Sequence, residues 1–274
     1  MAVEASARVP AAATVVVKLG GEVLEPPRLE QVASQIRAAV SDGGRRMVIV
    51  HGGGPQVTAE SKRRGLQPRI VAGRRITDDA TRAVMQEVMP RLSAALAAAL
   101  AAEGVRAAIV ADAVRARRRP PRAVSGGGPT PIDLGLVGDV TGFDLDRMSA
   151  DAKAAIPIIA SLGRGEAGEL LNINADVVAA ELAIALRAAA LVAVAAVGAV
   201  RRDKDDPASR IARLTIAEAR AAIADGTVVG GMIPKLEEAF APLAAGVAAV
   251  HIVGPGELDA SLRSPGTVGT LVTA

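Results

Sequence analysis

The chain has 274 residues, half of them hydrophobic, with no cysteine, tryptophan or tyrosine and a formal charge of +3. This length buries a substantial core and the composition argues against disorder. The missing cysteines exclude disulfides and thiolate-bound zinc, and no apolar run approaches the roughly 20 residues that span a bilayer. Met1 to Pro10 carries Glu4 and Arg8 and lacks an apolar core, so it does not read as a signal peptide and the cytoplasm is the expected compartment. The pI of about 9.8 is no nucleic-acid signal. Little titrates between the carboxylates and the lysines, so a small positive excess drives it upward. Only Phe143 and Phe240 are available to stack on bases.

Strand and helix signals alternate along the chain, which predicts βαβ units and a mainly parallel sheet. Thr14–Leu19 is a β-branched run ending in Gly20-Gly21. Helical periodicity covers 28–40, and a second strand, Arg46–His51, ends in Gly52-Gly53-Gly54 before another helix. Thr77 and Asp78 cap a helix over 80–89, where Pro90 marks a break or a restart into 91–102. A strand is expected at 105–110. The stretch 115–139 is rich in Arg, Pro and Gly and reads as a hairpin excursion, with Arg115, Arg117, Arg118, Arg119 and Arg122 as a solvated cluster rather than a binding patch. Further strands are expected at 155–162, 190–197, 247–253 and 270–272. Helices are expected at 176–187, at 217–224 behind a Thr215 cap, and at 235–245. The most plausible hinge lies near 157–174.

Scarce residue types point to the chemistry. Lys occurs five times against 27 arginines, so the chain uses Arg for generic charge, and a retained Lys marks a place for a compact point charge. Lys18 ends the first strand beside Gly20-Gly21. Lys235 opens a helix after Gly230-Gly231. The only two asparagines fall in Leu171-Asn172-Ile173-Asn174-Ala175-Asp176. Helix capping explains one of those three polar residues but hardly all. Asp176 is placed to hold both lysines by charge, and Asn172 to donate to a substrate carboxylate. Gly52-Gly53-Gly54 exposes backbone N–H groups at a helix start, which suits an anion. His51 reads as a structural hydrogen-bonder. Gly73-Arg74-Arg75-Ile76-Thr77-Asp78 sets an Arg before a helix, suited to clamping a carboxylate.

Taken in order, Val-Lys-Leu-Gly-Gly at 17–21, His-Gly-Gly-Gly-Pro-Gln at 51–56, Gly-Arg-Arg-Ile-Thr-Asp at 73–78, Gly-Leu-Val-Gly-Asp-Val at 135–140, Leu-Asn-Ile-Asn-Ala-Asp at 171–176 and Gly-Gly-Met-Ile-Pro-Lys at 230–235 resemble the amino-acid kinase family. Gly269-Thr270 matches its terminal strand. The resemblance implies a three-layer α/β/α sandwich: an extension over 1–13, then one domain over 14–274, with an acyl-substrate lobe (14–170) and a nucleotide lobe (171–274). The implied activity is ATP-dependent phosphorylation of the side-chain carboxylate of N-acetyl-L-glutamate, in arginine biosynthesis. Lys18 and Lys235 would flank the moving phosphoryl group, with Asp176 organising them. Gly53, Gly54, Arg75 and Asn172 would hold the acyl-amino acid, and Gly20, Gly21, Gly231 and Met232 the phosphates. Mg2+ would be carried mainly by the nucleotide, with no metal-ligating residues in the protein. Expected partners are the small-molecule substrate and ATP, with neither nucleic acid nor membrane. A homodimer is expected, because the family's arginine-inhibited hexamers carry a longer N-terminal helix than 1–13 provides. Three places depart from the family's pattern: Ala195-Ala196 where Ser/Thr-Asp is usual, Arg91-Leu92-Ser93-Ala94 where Asn-Lys is usual, and the reduced loop Ala111-Asp112-Ala113. The alternatives are a kinase-like ligand-binding or regulatory subunit, or a kinase for carrier-protein-linked aminoadipate or glutamate.

Overall fold

In a computed structural model, residue 9 and residues 13–41, 44–71, 74–122, 130–152 and 155–274 are described. Gly73, Lys153 and nearly all of the expected extension over 1–13 lie outside them. The chain runs β1 (Thr14–Leu19), α1 (Arg28–Ser41), β2 (Arg46–His51), α2 (Gly54–Arg63), β3 (Ile70–Val71), β4 (Arg74–Arg75) and α3 (Asp79–Ala102). It continues through β5 (Ala107–Ile109), β6 (Val114–Arg118), β7 (Gly138–Phe143), α4 (Leu145–Ala152), β8 (Ile156–Ala160), β9 (Leu162–Arg164) and β10 (Leu170–Asn172). The last part holds α5 (Ala175–Ala185), β11 (Ala190–Val194), β12 (Arg213–Thr215), α6 (Ile216–Ala224), α7 (Met232–Ala244), β13 (Ala249–Val253), α8 (Leu258–Arg263) and β14 (Thr270–Thr273).

Eight strands form one sheet in the order β12-β14-β13-β11-β1-β2-β8-β5. Pairing is parallel from β13 through β11, β1, β2 and β8 to β5, and only β14 runs antiparallel to its neighbour β13. The apolar runs of β1 and β2 suit strands buried on both faces. Successive β1 residues point to opposite sides. Val16 joins a core cluster with Val178 and Leu182 of α5 and Leu236 of α7. Val15 and Val17 join another with Ile36 of α1, Leu96 of α3 and Leu258 of α8. Helices thus cover both faces, and the expected three-layer sandwich is the observed architecture. Strands from before and after residue 170 share this one sheet, because β11 pairs directly with β1.

Local rules explain most boundaries. In α1, Leu29, Val32, Ala33, Ile36 and Ala39 are buried at the spacing of one helical face. The Asp78 side chain caps α3 by accepting from the Thr81 N–H, and Thr215 and Glu218 form a reciprocal capping box on α6. Pro90 does not break its helix: α3 continues from Asp79 to Ala102. Pro90 itself is exposed, while Val84, Met85, Val88, Met89, Ser93, Leu96 and Leu100 are buried. Packing of that face outweighs one lost backbone bond. A smaller sheet, in the order β10-β9-β6-β7, occupies the place expected for a hairpin excursion.

Candidate active site

The carboxyl ends of β1 and β2 lie side by side at the centre of the sheet, with Leu19 opposite His51. The chain leaves β1 toward β2 on one side and later returns to β11 on the other, so strand order reverses here. Open α/β sheets bind ligands at such a point. A cavity of about 520 Å3 occupies it, lined among others by Lys18, Gly21, Gly53, Arg75, Asn172, Asp176 and Lys235. The two glycine loops touch. A Cβ on Gly21 would lie 2.7 Å from Pro55 Cδ and 3.2 Å from Gly53 Cα, so only glycine allows this approach.

Lys18 is only 4 % exposed, and its Nζ lies 2.7 Å from Asp176 Oδ1. Burial alone would raise the Asp176 carboxyl, but the Lys18 and Lys235 cations outweigh it and hold the group below the ordinary carboxylate value. Burial, then repulsion from Lys18, lowers the Lys235 ammonium, against the attraction of Asp176 and Glu22. Asp176 therefore pairs directly with Lys18. No ion-pair contact with Lys235 is present among the described residues, and the expected double pairing is a short bridge on one side and a longer-range attraction on the other.

The three polar residues of the 172–176 run divide their work. Asn174 caps α5, accepting from the Asp176 N–H at 2.8 Å. Asn172 donates from Nδ2 to Thr77 Oγ1 at 3.0 Å. Its N–H donates to the Leu136 carbonyl, while the Leu136 N–H donates to the Thr77 carbonyl. Motifs near 77, 136 and 172 thereby become one hydrogen-bonded wall. Gly135 turns that wall with a φ of +73°, and a Cβ there would collide with the Thr77 carbonyl. Arg75 donates from Nη2 to Thr58 Oγ1 at 2.6 Å and to the Gly54 carbonyl at 3.1 Å. Its buried Nη1 has no partner, and burial lowers the guanidinium.

Some expectations need correction. Gly20 lines the cavity beside Gly21, but its N–H already donates to the Val194 carbonyl. The Met232 side chain packs against the hydrophobic core and is absent from the cavity lining, whereas Gly231 lines it. Arg119 is not solvated: it is 7 % exposed, pairs with Asp139 at 2.6 Å and lines the cavity. It follows the last residue of β6 in an arginine-rich run, and nothing in the sequence sets it apart from its neighbours. Glu22, Arg74 and Ser161 also line the cavity and carry no distinguishing mark in the sequence. His51 is buried and structural, as expected, with Nδ1 2.8 Å from the Gly52 carbonyl and Nε2 2.7 Å from Ser93 Oγ. Ala195 is buried and donates its N–H to the Val253 carbonyl, so that loop offers a nucleotide no polar side chain at 195 or 196. Asp112 pairs with Arg164 at 2.6 Å.

A charged pair, a second lysine and Arg75 line one cavity between touching glycine loops, an arrangement that suits an anion. The profile of the Amino acid kinase family matches residues 13–254. The chain belongs to the amino-acid kinase family. Among its relatives, an acetylglutamate kinase from Anaeromyxobacter dehalogenans (strain 2CP-1 / ATCC BAA-258) is 50 % identical over 270 residues, covering 95 % of this chain and 99 % of the relative. One from Sorangium cellulosum (strain So ce56) is 47 % identical over 266 residues, covering 94 % and 93 %. In three dimensions, the N-acetylglutamate synthase from Neisseria gonorrhoeae superposes with a TM-score of 0.82 at 23 % identity, covering 96 % of this chain. The chain spans 60 % of that synthase's length. Carbamate kinase from Giardia lamblia superposes with a TM-score of 0.70 at 19 % identity, covering 96 % and 99 %. Both likenesses bear on the amino-acid kinase fold alone. No described helix is long and apolar enough to cross a membrane.

Proposed function

We propose that this chain transfers the γ-phosphoryl group of ATP to the side-chain carboxylate of N-acetyl-L-glutamate, forming an acyl phosphate in arginine biosynthesis in the cytoplasm. The observation that carries this reading is the convergence of Lys18, Lys235 and Arg75 on one cavity. Half-identical relatives that bear the name acetylglutamate kinase support the substrate.

A carboxylate nucleophile is ionised at neutral pH, so the reaction needs no general base. It needs neutralised charge and in-line alignment. Lys18 and Lys235 supply two cations around the transferring group, where charge moves from the attacking to the leaving oxygen. Asp176 holds Lys18 in place by a direct ion pair. Arg75, Asn172 and the backbone at Gly53 and Gly54 hold the acyl-amino acid, while Gly21 and Gly231 approach the phosphates. Such alignment is worth up to about 7–11 kcal/mol of barrier. Among the described residues no group of three His, Asp or Glu side chains converges on a metal-sized site. In this reading Mg2+ would arrive on the nucleotide's phosphates, as is usual for it. In this reading, 14–170 carries the acyl-amino acid and 171–274 the nucleotide. The assembly is read as a homodimer, for which the open sheet edge at β5, with Ile109 49 % exposed, is a natural place. Small-angle scattering giving a monomer or a hexamer would remove that part.

Trapping the acyl phosphate with hydroxylamine in the presence of ATP and N-acetylglutamate tests the reaction. Hydroxamate is expected from the wild type and about 10²–10³-fold less from Lys235→Ala. Ligand binding without product would instead mark a regulatory subunit. A preference for carrier-protein-linked aminoadipate or glutamate would overturn the substrate.

A further inference from the structure

The buried pair formed by His51 and Ser93 lies just behind the second glycine loop, and neither side chain lines the cavity. His51 ends β2 and Ser93 sits on the buried face of α3. The Gly52 carbonyl is only an acceptor, so His51 Nδ1, 2.8 Å away, carries the proton. Burial lowers the imidazole and keeps it neutral, leaving Nε2 to accept from the Ser93 hydroxyl at 2.7 Å. That hydroxyl also lies 3.2 Å from the Met89 carbonyl, the weaker of its two acceptors.

The peptide linking Gly52 and Gly53 is planar and trans, so its carbonyl and its N–H point in opposite directions. With the carbonyl drawn back onto the imidazole, the Gly53 N–H faces the other way. Gly53 lines the cavity, and its N–H meets no acceptor among the described residues. The peptides on either side are fixed independently. The Gly52 N–H donates to the Leu19 carbonyl, the His51 carbonyl accepts from the Ser161 N–H, and the Gly53 carbonyl accepts from the Val57 N–H. Two adjoining glycines have little intrinsic preference to stop a peptide flip. The imidazole is therefore the group that selects one orientation of this peptide.

We infer that His51, held by Ser93, is a positioning residue that turns the Gly53 N–H into the cavity to meet an anionic group of the acyl-amino acid. This rests on the proposed function, which reads Gly53 as a substrate contact. Steady-state kinetics of His51→Leu, His51→Asn and Ser93→Ala, with crystal structures of the first two, test it. The Asn amide nitrogen reaches the place of Nδ1 and restores the donor. For His51→Leu, the KM for N-acetylglutamate should rise about tenfold, as for loss of a hydrogen bond to a charged group, with the KM for ATP and kcat within about twofold. His51→Asn should recover most of that loss, and Ser93→Ala should fall between. The Gly52–Gly53 peptide should be flipped or split in His51→Leu and native in His51→Asn. Equal rises in both KM values, a lowered melting temperature with unchanged KM, or a native peptide in His51→Leu would overturn the inference. If His51→Leu fails to fold, Ser93→Ala decides: a selective rise in the acyl KM supports the role and an unchanged KM refutes it. If the wild type makes no hydroxamate, the proposed reaction fails, and the peptide orientation in the two His51 variants still decides this one.

Discussion

Lys18 and Lys235 differ in how they are held, and the difference predicts different behaviour. Lys18 is buried and bridged to Asp176 at 2.7 Å, so removing Asp176 leaves a cation without its partner inside the protein. Asp176→Ala should cost about 3 kcal/mol of stability, read from urea denaturation, because breaking a buried pair exposes the desolvation penalty of the survivor. Lys235 has no such pair. Lys235→Ala should keep the wild-type melting temperature within about 2 °C and lower kcat by about 10²–10³-fold, as for loss of a transition-state donor. Arg75 sits between these cases. Arg75→Lys replaces a fork by a point charge, and the KM for the acyl-amino acid should rise about tenfold with little change in kcat. At this scale the sequence is informative wherever residue types are scarce. Two asparagines and five lysines lead to Asn172, Lys18 and Lys235 without a structure. Arg119 is lost among 27 arginines, because nothing local separates a buried guanidinium from a solvated one.

Elements follow local rules until packing overrules them, and α3 shows the limit. Proline removes a backbone donor and disfavours a helix interior, yet α3 continues through Pro90. Its apolar stripe binds it to α1 and the sheet on one side and to the second glycine loop on the other. Pro90→Ala should therefore stabilise the protein by about 1–2 kcal/mol, the restored helix bond offset in part by a freer unfolded chain. The opposite change is expected at the α6 cap. Thr215→Ala removes the side-chain acceptor for the Glu218 N–H and should cost about 1 kcal/mol. Both are measured by equilibrium denaturation. The small sheet draws β6 and β7 from either end of an Arg-, Pro- and Gly-rich stretch and the three-residue strands β9 and β10 from 162–172, so no one periodic run reveals it. Long-range pairing, such as Arg115 with Arg164, is what defines them.

At the scale of the whole molecule, a buried histidine far from the cavity links stability to pH. His251, on β13 between β11 and β14, is buried with Nε2 unpartnered. Burial, aided by the Arg213 cation, pushes its imidazole down from 6.5 to about 4. Between those values the unfolded chain binds a proton that the folded protein refuses. Stability is thus greatest above pH 6.5 and falls as the pH drops toward 4, by up to about 3 kcal/mol. Denaturation midpoints measured across this range should flatten in His251→Leu. A wild-type profile with no slope there would refute the assignment.

The sequence by itself determined the architecture and the ends of the site. Alternating strand and helix signals, glycine turns after the first two strands and apolar runs buried on both faces suffice for a parallel three-layer fold, because these are properties of neighbouring residues. The same locality led to Lys18, Gly53, Asn172, Asp176 and Lys235, which line one cavity. Tertiary structure decided which partner each one took. Asp176 bridges one lysine rather than two, the Gly20 N–H is consumed by β11, Met232 turns into the core and Arg119 enters the cavity. It also placed Ser93 against His51, 42 residues apart in the chain. Such pairings depend on how helices cross a twisted sheet, a geometry set by the sum of many packing contacts and by no single stretch of sequence.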